Sequence, residues 1–174
     1  LTLDHRFFTA SLNFTEEVFN HLVEFFRLFG KNEMGAAGDD DGPGVETAGG
    51  RRVKVVFLGA TRGMGRALAR KMAARGDRIF VLGRNVDDLA RSIRDLEVHA
   101  GDGEISHAYC DLTDPSSFVP ALDRADEVLG GFETVVLTAG LFASQEQLET
   151  DPELCRRMLI VNHAHSVVFL EEAR

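Results

Sequence analysis

VVFLGATRGMGRALARKM, residues 55–72, is the stretch on which the fold turns. Val55, Val56, Phe57 and Leu58 make a continuous apolar run, the pattern of a strand buried on both faces of a parallel sheet. Met64, Ala67, Leu68 and Met72 then fall on one face at helical spacing, which predicts a helix starting inside the glycine run Gly59, Gly63, Gly65. A phosphate approaches a backbone closely only where no Cβ intervenes, and a first helical turn offers free N–H groups at a positive dipole end. The glycine spacing is Gly-x-x-x-Gly-x-Gly, not the commoner Gly-x-Gly-x-x-Gly. A tight turn needing positive φ is the other reading of these glycines. Their place between a buried strand and an amphipathic helix favours phosphate binding.

Outward from this unit the pattern alternates. It predicts strand 53–58, helix 63–75, strand 78–82, helix 86–99, strand 104–110, helix 115–129, strand 133–138, and a long helix from about 152 onward. Strands alternating with helices of this length imply crossover connections and a parallel sheet.

The first 50 residues read differently. They carry three basic and nine acidic residues against sixteen and nineteen in the rest, so most of the net charge of −9 belongs to the leader. Residues 31–50 hold six glycines, a proline and an acidic triplet, too little apolar surface to order, and read as a flexible linker. The segment NFTEEVFNHLVEFFRLFG before them reads as an amphipathic helix with Val18, Phe19, Leu22, Val23, Phe26 and Phe29 in its stripe. The expected organisation is a Phe-rich helical extension over 1–33, a linker over 34–50 and a nucleotide-binding domain over 51–174.

Several function classes are excluded by composition. Neither part offers the basic face that nucleic acid requires. A membrane-surface helix wants Lys and Arg on its polar face, whereas the leader helix offers Glu16, Glu17, Asn20, Glu24 and Arg27. No apolar run approaches the ~18–20 residues of a membrane span. Cys110 and Cys155 are too few for a disulfide framework and nothing resembles a secretory signal, so a soluble cytoplasmic protein with free thiols is expected. His163 and His165 stand two apart on a predicted helix and point to nearly opposite sides, so no metal site is expected.

LGATRGMGRALA resembles the cofactor-binding turn of the short-chain dehydrogenase/reductase family, usually Thr-Gly-x-x-x-Gly-x-Gly, with Leu58 in the place of the common Thr. Further matches follow in the family's order. VLGRN at 81–85 resembles the end of its second strand, and YCDLTD at 109–114 the segment whose Asp contacts adenine. VVLTAG at 135–140 resembles its Asn-Asn-Ala-Gly strand end, with Leu137 and Thr138 replacing both asparagines; IVNHAHSVVFL at 160–170 resembles the helix whose Asn joins the catalytic relay. The resemblance covers about residues 53–174. It implies a Rossmann-type doubly wound parallel sheet, here truncated after about four strands. It implies cofactor contacts from Gly59, Thr61, Arg62, Gly63, Met64, Gly65, Asp111, Leu112, Ala139 and Gly140, and a catalytic relay role for Asn162. Asp114, ahead of Pro115, is assigned to helix capping.

Cofactor choice has a physical argument of its own. An NAD site places Asp or Glu at the end of the second strand to bind the ribose 2′-hydroxyl. That place reads Gly83-Arg84, and an arginine fork grips a 2′-phosphate where a carboxylate repels it. Arg62 adds a second cation, so NADP is expected over NAD; Arg66, Arg70 and Arg75 read as solvated surface. The family's proton chemistry needs a Ser and a Tyr-x-x-x-Lys pair, yet Tyr109 is the only tyrosine and no lysine follows Lys71. The expected parent is an NADP-dependent oxidoreductase interconverting a small-molecule alcohol with a ketone or aldehyde, a homo-oligomer whose catalytic half is missing from this chain. The chain alone is expected to be inactive and to expose TVVLTA as a sheet edge. A dinucleotide-binding or sensor module without chemistry is the alternative. A nucleotide-fold methyltransferase would want a carboxylate where Arg84 stands.

Overall fold

The computed structural model describes residues 52–174 and, by its backbone, the strand Phe8–Thr9. The expected leader helix and linker lie outside the described residues. Five strands form one parallel sheet: β1 (Phe8–Thr9), β2 (Lys54–Leu58), β3 (Arg78–Gly83), β4 (Ile105–Tyr109) and β5 (Thr134–Leu137), in the spatial order β1-β5-β2-β3-β4. Helices α1 (Gly63–Ala74), α2 (Val86–Ala100) and α3 (Phe118–Leu129) connect β2 through β5. After β5 come α4 (Gln145–Thr150), α5 (Pro152–Leu159), a π-helical turn Ile160–His165 and α6 (Ser166–Glu172).

The apolar runs of β2 and β3 are continuous because both faces of the sheet are covered. Side chains alternate along a strand, and the two cores alternate with them. Val55, Phe57, Ile79 and Val81 pack with Ala69, Met72, Leu89, Ile93 and Leu96 of α1 and α2. Val56, Leu58, Phe80 and Leu82 pack with Phe118, Leu122, Ala125 and Leu129 of α3 and with Val161 and Phe169. The chain is therefore doubly wound, as expected, and its apolar stripes fix which helix lies on which face.

The differences from expectation have local causes. In α1 the buried residues are Gly65, Ala69, Met72 and Ala73, and Met64 is 40% exposed. The helix is turned from its expected face because Gly65 abuts the Gly59 carbonyl. The helix expected over 115–129 opens as a 3₁₀ turn, Pro115–Ser117, capped by Asp114 through the Ser116 N–H. The long C-terminal helix runs from Pro152 to Glu172 with a π turn inside it, and α4, which was not expected, is started by a capping box between Ser144 and Gln147. Arg66 and Arg70 are not simply solvated: both bind Asp95 of α2, and Arg75 pairs with the fully buried Asp77. The β5 edge, expected to be open, has Phe8 beside Val136 and Thr9 beside Leu137. A parallel edge leaves unpaired N–H and C=O groups, and even a two-residue strand satisfies some of them.

Candidate dinucleotide-binding site

Strand order reverses between β2 and β5: from β2 the chain moves outward to β3 and β4, then returns to the other side at β5. Crevices at such a point, beyond the carboxyl ends of the strands, are where open α/β sheets take ligands. Here a cleft of about 380 Å³ lies between the glycine turn, the ends of β3 and β4, and the loop after β5. Its walls include Gly59, Thr61, Arg62, Arg84, Asp111, Leu112, Ala139 and Gly140. Gly63, Met64 and Gly65 stand beside it in the first turn of α1, and Asn162 lies behind Gly140.

The three glycines do different work. Gly59 has φ +112°, and a Cβ there would overlap the Ala139 nitrogen and sit 2.6 Å from Thr138 Oγ1. A Cβ on Gly65 would overlap the Gly59 carbonyl oxygen and Thr138 Oγ1. Both are packing glycines that let the turn close onto β5. Gly63 has φ +55°, with nothing within 4 Å of an added Cβ, so it supplies turn conformation and open space. Arg62 is the N-cap of α1, makes no side-chain cap, and no acidic residue occupies the first turn. The free N–H groups at this helix end thus face no competing carboxylate of their own helix.

Thr138 is a site residue that sequence reading missed. Its backbone N–H donates to the Leu58 carbonyl at 2.9 Å and its hydroxyl to the Gly59 carbonyl at 3.1 Å. It registered in the sequence only as a replacement for asparagine.

At the end of β3, Arg84 is exposed and has no hydrogen-bond or ion-pair partner among the described residues. Asn85 caps α2 by accepting from the Asp88 N–H at 2.8 Å. Arg62 Nη2 donates to Asp88 Oδ2 at 2.6 Å, while Arg91 holds the other Asp88 oxygen. Arg91, then Arg62, hold the Asp88 carboxyl below the usual carboxylate range. Asp88, on the cleft wall, is the second residue the sequence did not flag, because acids are ordinary in a first helical turn.

On the far wall, Asp111 Oδ1 accepts from the Thr113 N–H at 2.9 Å and its backbone N–H donates to Ser117 Oγ at 3.0 Å. Leu112 is buried, and its carbonyl lies 2.8 Å from His165 Nδ1. Burial pushes the Cys110 thiol up to about 11, so it stays protonated beside the cleft. Asn162 sits in the π turn, a distortion frequent at functional sites. Its Oδ1 accepts from the Leu141 N–H at 2.7 Å and its Nδ2 donates to the Leu141 carbonyl at 2.8 Å. The amide therefore clamps the loop after β5. Among the described residues no group of three or more His, Cys, Asp or Glu is placed to hold a metal ion, and no helix is long and apolar enough to cross a membrane.

Residues 53–173 match the family model for short chain dehydrogenase. The chain is 34% identical over 109 residues to an L-2,3-butanediol dehydrogenase of Corynebacterium glutamicum, covering 62% of this chain and 42% of that protein. Among solved structures, a short-chain type dehydrogenase/reductase from Mycobacterium ulcerans superposes with a TM-score of 0.62 at 27% identity, covering 68% of this chain and 44% of that one. A short chain dehydrogenase from Burkholderia cenocepacia, solved in complex with NADP, superposes with a TM-score of 0.60 at 25% identity over 70% of this chain and 49% of that one. The chain spans well under half the length of the curated relatives it matches.

Proposed function

The chain belongs to the short-chain dehydrogenase family, and from that premise we propose that its cleft binds NADP in an oxidoreductase interconverting an alcohol and a ketone or aldehyde. The observation that carries the cofactor choice is Arg84, exposed and partnerless among the described residues where an NAD site carries an acid. The fit to a dinucleotide rests on the uncapped start of α1, the open side of Gly63 and the cations Arg62 and Arg84 around one cleft. In the solved Burkholderia relative the bound cofactor is NADP.

When bound, the nicotinamide cofactor gives or takes the hydride. The first turn of α1 and Gly63 receive the pyrophosphate, Arg84 and Arg62 the 2′-phosphate, and Asp111 the adenine. Thr138, Ala139 and Gly140 form the wall toward the nicotinamide, and Asn162 holds that wall in shape through Leu141. The substrate is a small molecule and the parent is a cytoplasmic homo-oligomer. The exposed Leu159, Val167 and Val168 support assembly. No Tyr-x-x-x-Lys pair exists among the 174 residues, so on this reading the chain alone binds cofactor without turnover.

A second reading, a dinucleotide-binding module without chemistry, is favoured by the Asn162 amide being engaged with the backbone. Fluorescence titration with NADPH and NADH tests the first reading. A charge-assisted phosphate contact contributes about 1.5–3 kcal/mol, so NADPH should bind at least ~tenfold tighter, and Arg84→Asp should reverse the order. Equal affinities would overturn the cofactor assignment. Hydride transfer by a longer form carrying the pair, and none by this chain, would favour the enzyme over the module.

A further inference from the structure

We infer that Asp88 is a specificity-determining residue of the cleft, one that weakens 2′-phosphate binding by holding Arg62 and placing a negative charge beside it. This rests on the reading of the cleft as a dinucleotide site.

Three observations carry it. Asp88 lines the same cleft as Arg84 and Arg62. Its side chain is only 12% exposed, whereas the Arg62 side chain that reaches to it is 78% exposed, so the carboxylate is the fixed partner and the guanidinium the movable one. Both carboxylate oxygens are engaged, Oδ2 by Arg62 at 2.6 Å and Oδ1 by Arg91.

Capping does not account for the residue. The start of α2 is already capped by the Asn85 side chain, which accepts from the Asp88 backbone N–H, and the Asp88 carboxylate itself points to the two arginines. Arg91 has a separate consequence. If Arg62 turns toward a phosphate, Asp88 keeps one cationic partner and is not left unpaired, so the exchange is reversible at small cost. The incoming phosphate nonetheless competes with a carboxylate for Arg62 and feels its repulsion. A 2′-hydroxyl meets neither penalty. Arg84 and Asp88 therefore act in opposite directions on the same discrimination, and the preference for the phosphorylated cofactor is smaller than two arginines alone would give.

Asp88→Asn tests this, since the amide oxygen keeps an acceptor for Arg62 and removes the charge. The probes are adenosine 2′,5′-bisphosphate and 5′-AMP, measured by calorimetry on the protein without any turnover. The variant should bind the bisphosphate on the order of fivefold tighter, the scale of one unit charge about 4 Å away acting through the dielectric of water. It should leave 5′-AMP within twofold, and the gain should shrink as salt is raised. Unchanged bisphosphate affinity, or a loss, in a protein that still binds both probes would overturn the inference while sparing the site. Failure of the unaltered protein to bind either probe would overturn both.

Discussion

The Thr138 hydroxyl donates to the Gly59 carbonyl at 3.1 Å, joining the end of β5 to the turn after β2. These residues are 79 apart in sequence, and the same hydroxyl blocks any side chain at Gly65. Thr138→Val keeps the shape and removes the donor, leaving the Gly59 carbonyl one partner short. A loss of about 1 kcal/mol is expected, seen as a melting temperature lower by roughly 3–6 °C together with weaker cofactor binding. An unchanged melt would show that the turn holds itself.

Two neighbouring glycines should respond differently to alanine. At Gly65 the added methyl meets the Gly59 backbone, which cannot yield as a flexible side chain would, and overpacking of this kind costs roughly 1–3 kcal/mol. At Gly63 there is space, and the cost is the positive φ, about 1–2 kcal/mol. Thermal melts should rank Gly65→Ala at or below Gly63→Ala. Both should lose NADPH affinity, Gly63→Ala because its methyl enters the open side of the turn. Undiminished NADPH binding by Gly63→Ala would place the phosphates elsewhere.

The two cysteines should separate cleanly under a thiol reagent at pH 8. Cys155 is exposed, while Cys110 is buried with its thiol raised to about 11, so little thiolate is present and access is closed. One thiol should react within minutes and the second only after denaturant is added. Two equally fast thiols would contradict the burial.

Asp95 gives a pH dependence with a definite sign. Arg70, then Arg66, hold its carboxyl well below the usual carboxylate range. A carboxylate depressed in the folded state adds stability that is fully present above its unfolded value near ~3.9 and is lost as pH falls toward the folded one. Asp95→Asn should cost on the order of 1 kcal/mol at neutral pH, the scale of a surface ion-pair network. The gap to the unaltered protein should narrow as pH falls below about 4. Denaturant melts at pH 7 and pH 3 check it, and a gap that widens in acid would reverse the assignment.

What the sequence determined by itself was local in cause. A four-residue apolar run, a helical stripe and Asp114 before Pro115 each set their own backbone through neighbours a few residues away. The alternation of these elements then left a parallel sheet covered on both faces as the way to bury them. Arg84 could be read as a charge at a strand end because only its place in the order mattered. Tertiary structure decided the rest. Which face α1 buries depended on Gly65 meeting Gly59, and the work of Thr138 on β5 lying beside β2. That Arg62 is held by Asp88 depended on α1 and α2 sharing one face of the sheet, and that Asn162 clamps Leu141 depended on the π turn facing the loop after β5. The contacts made by Thr138, Asp88 and Asn162 join residues 21 to 79 positions apart, and no pattern within one segment encodes which distant backbone atom a hydroxyl or carboxylate will meet once the sheet has closed.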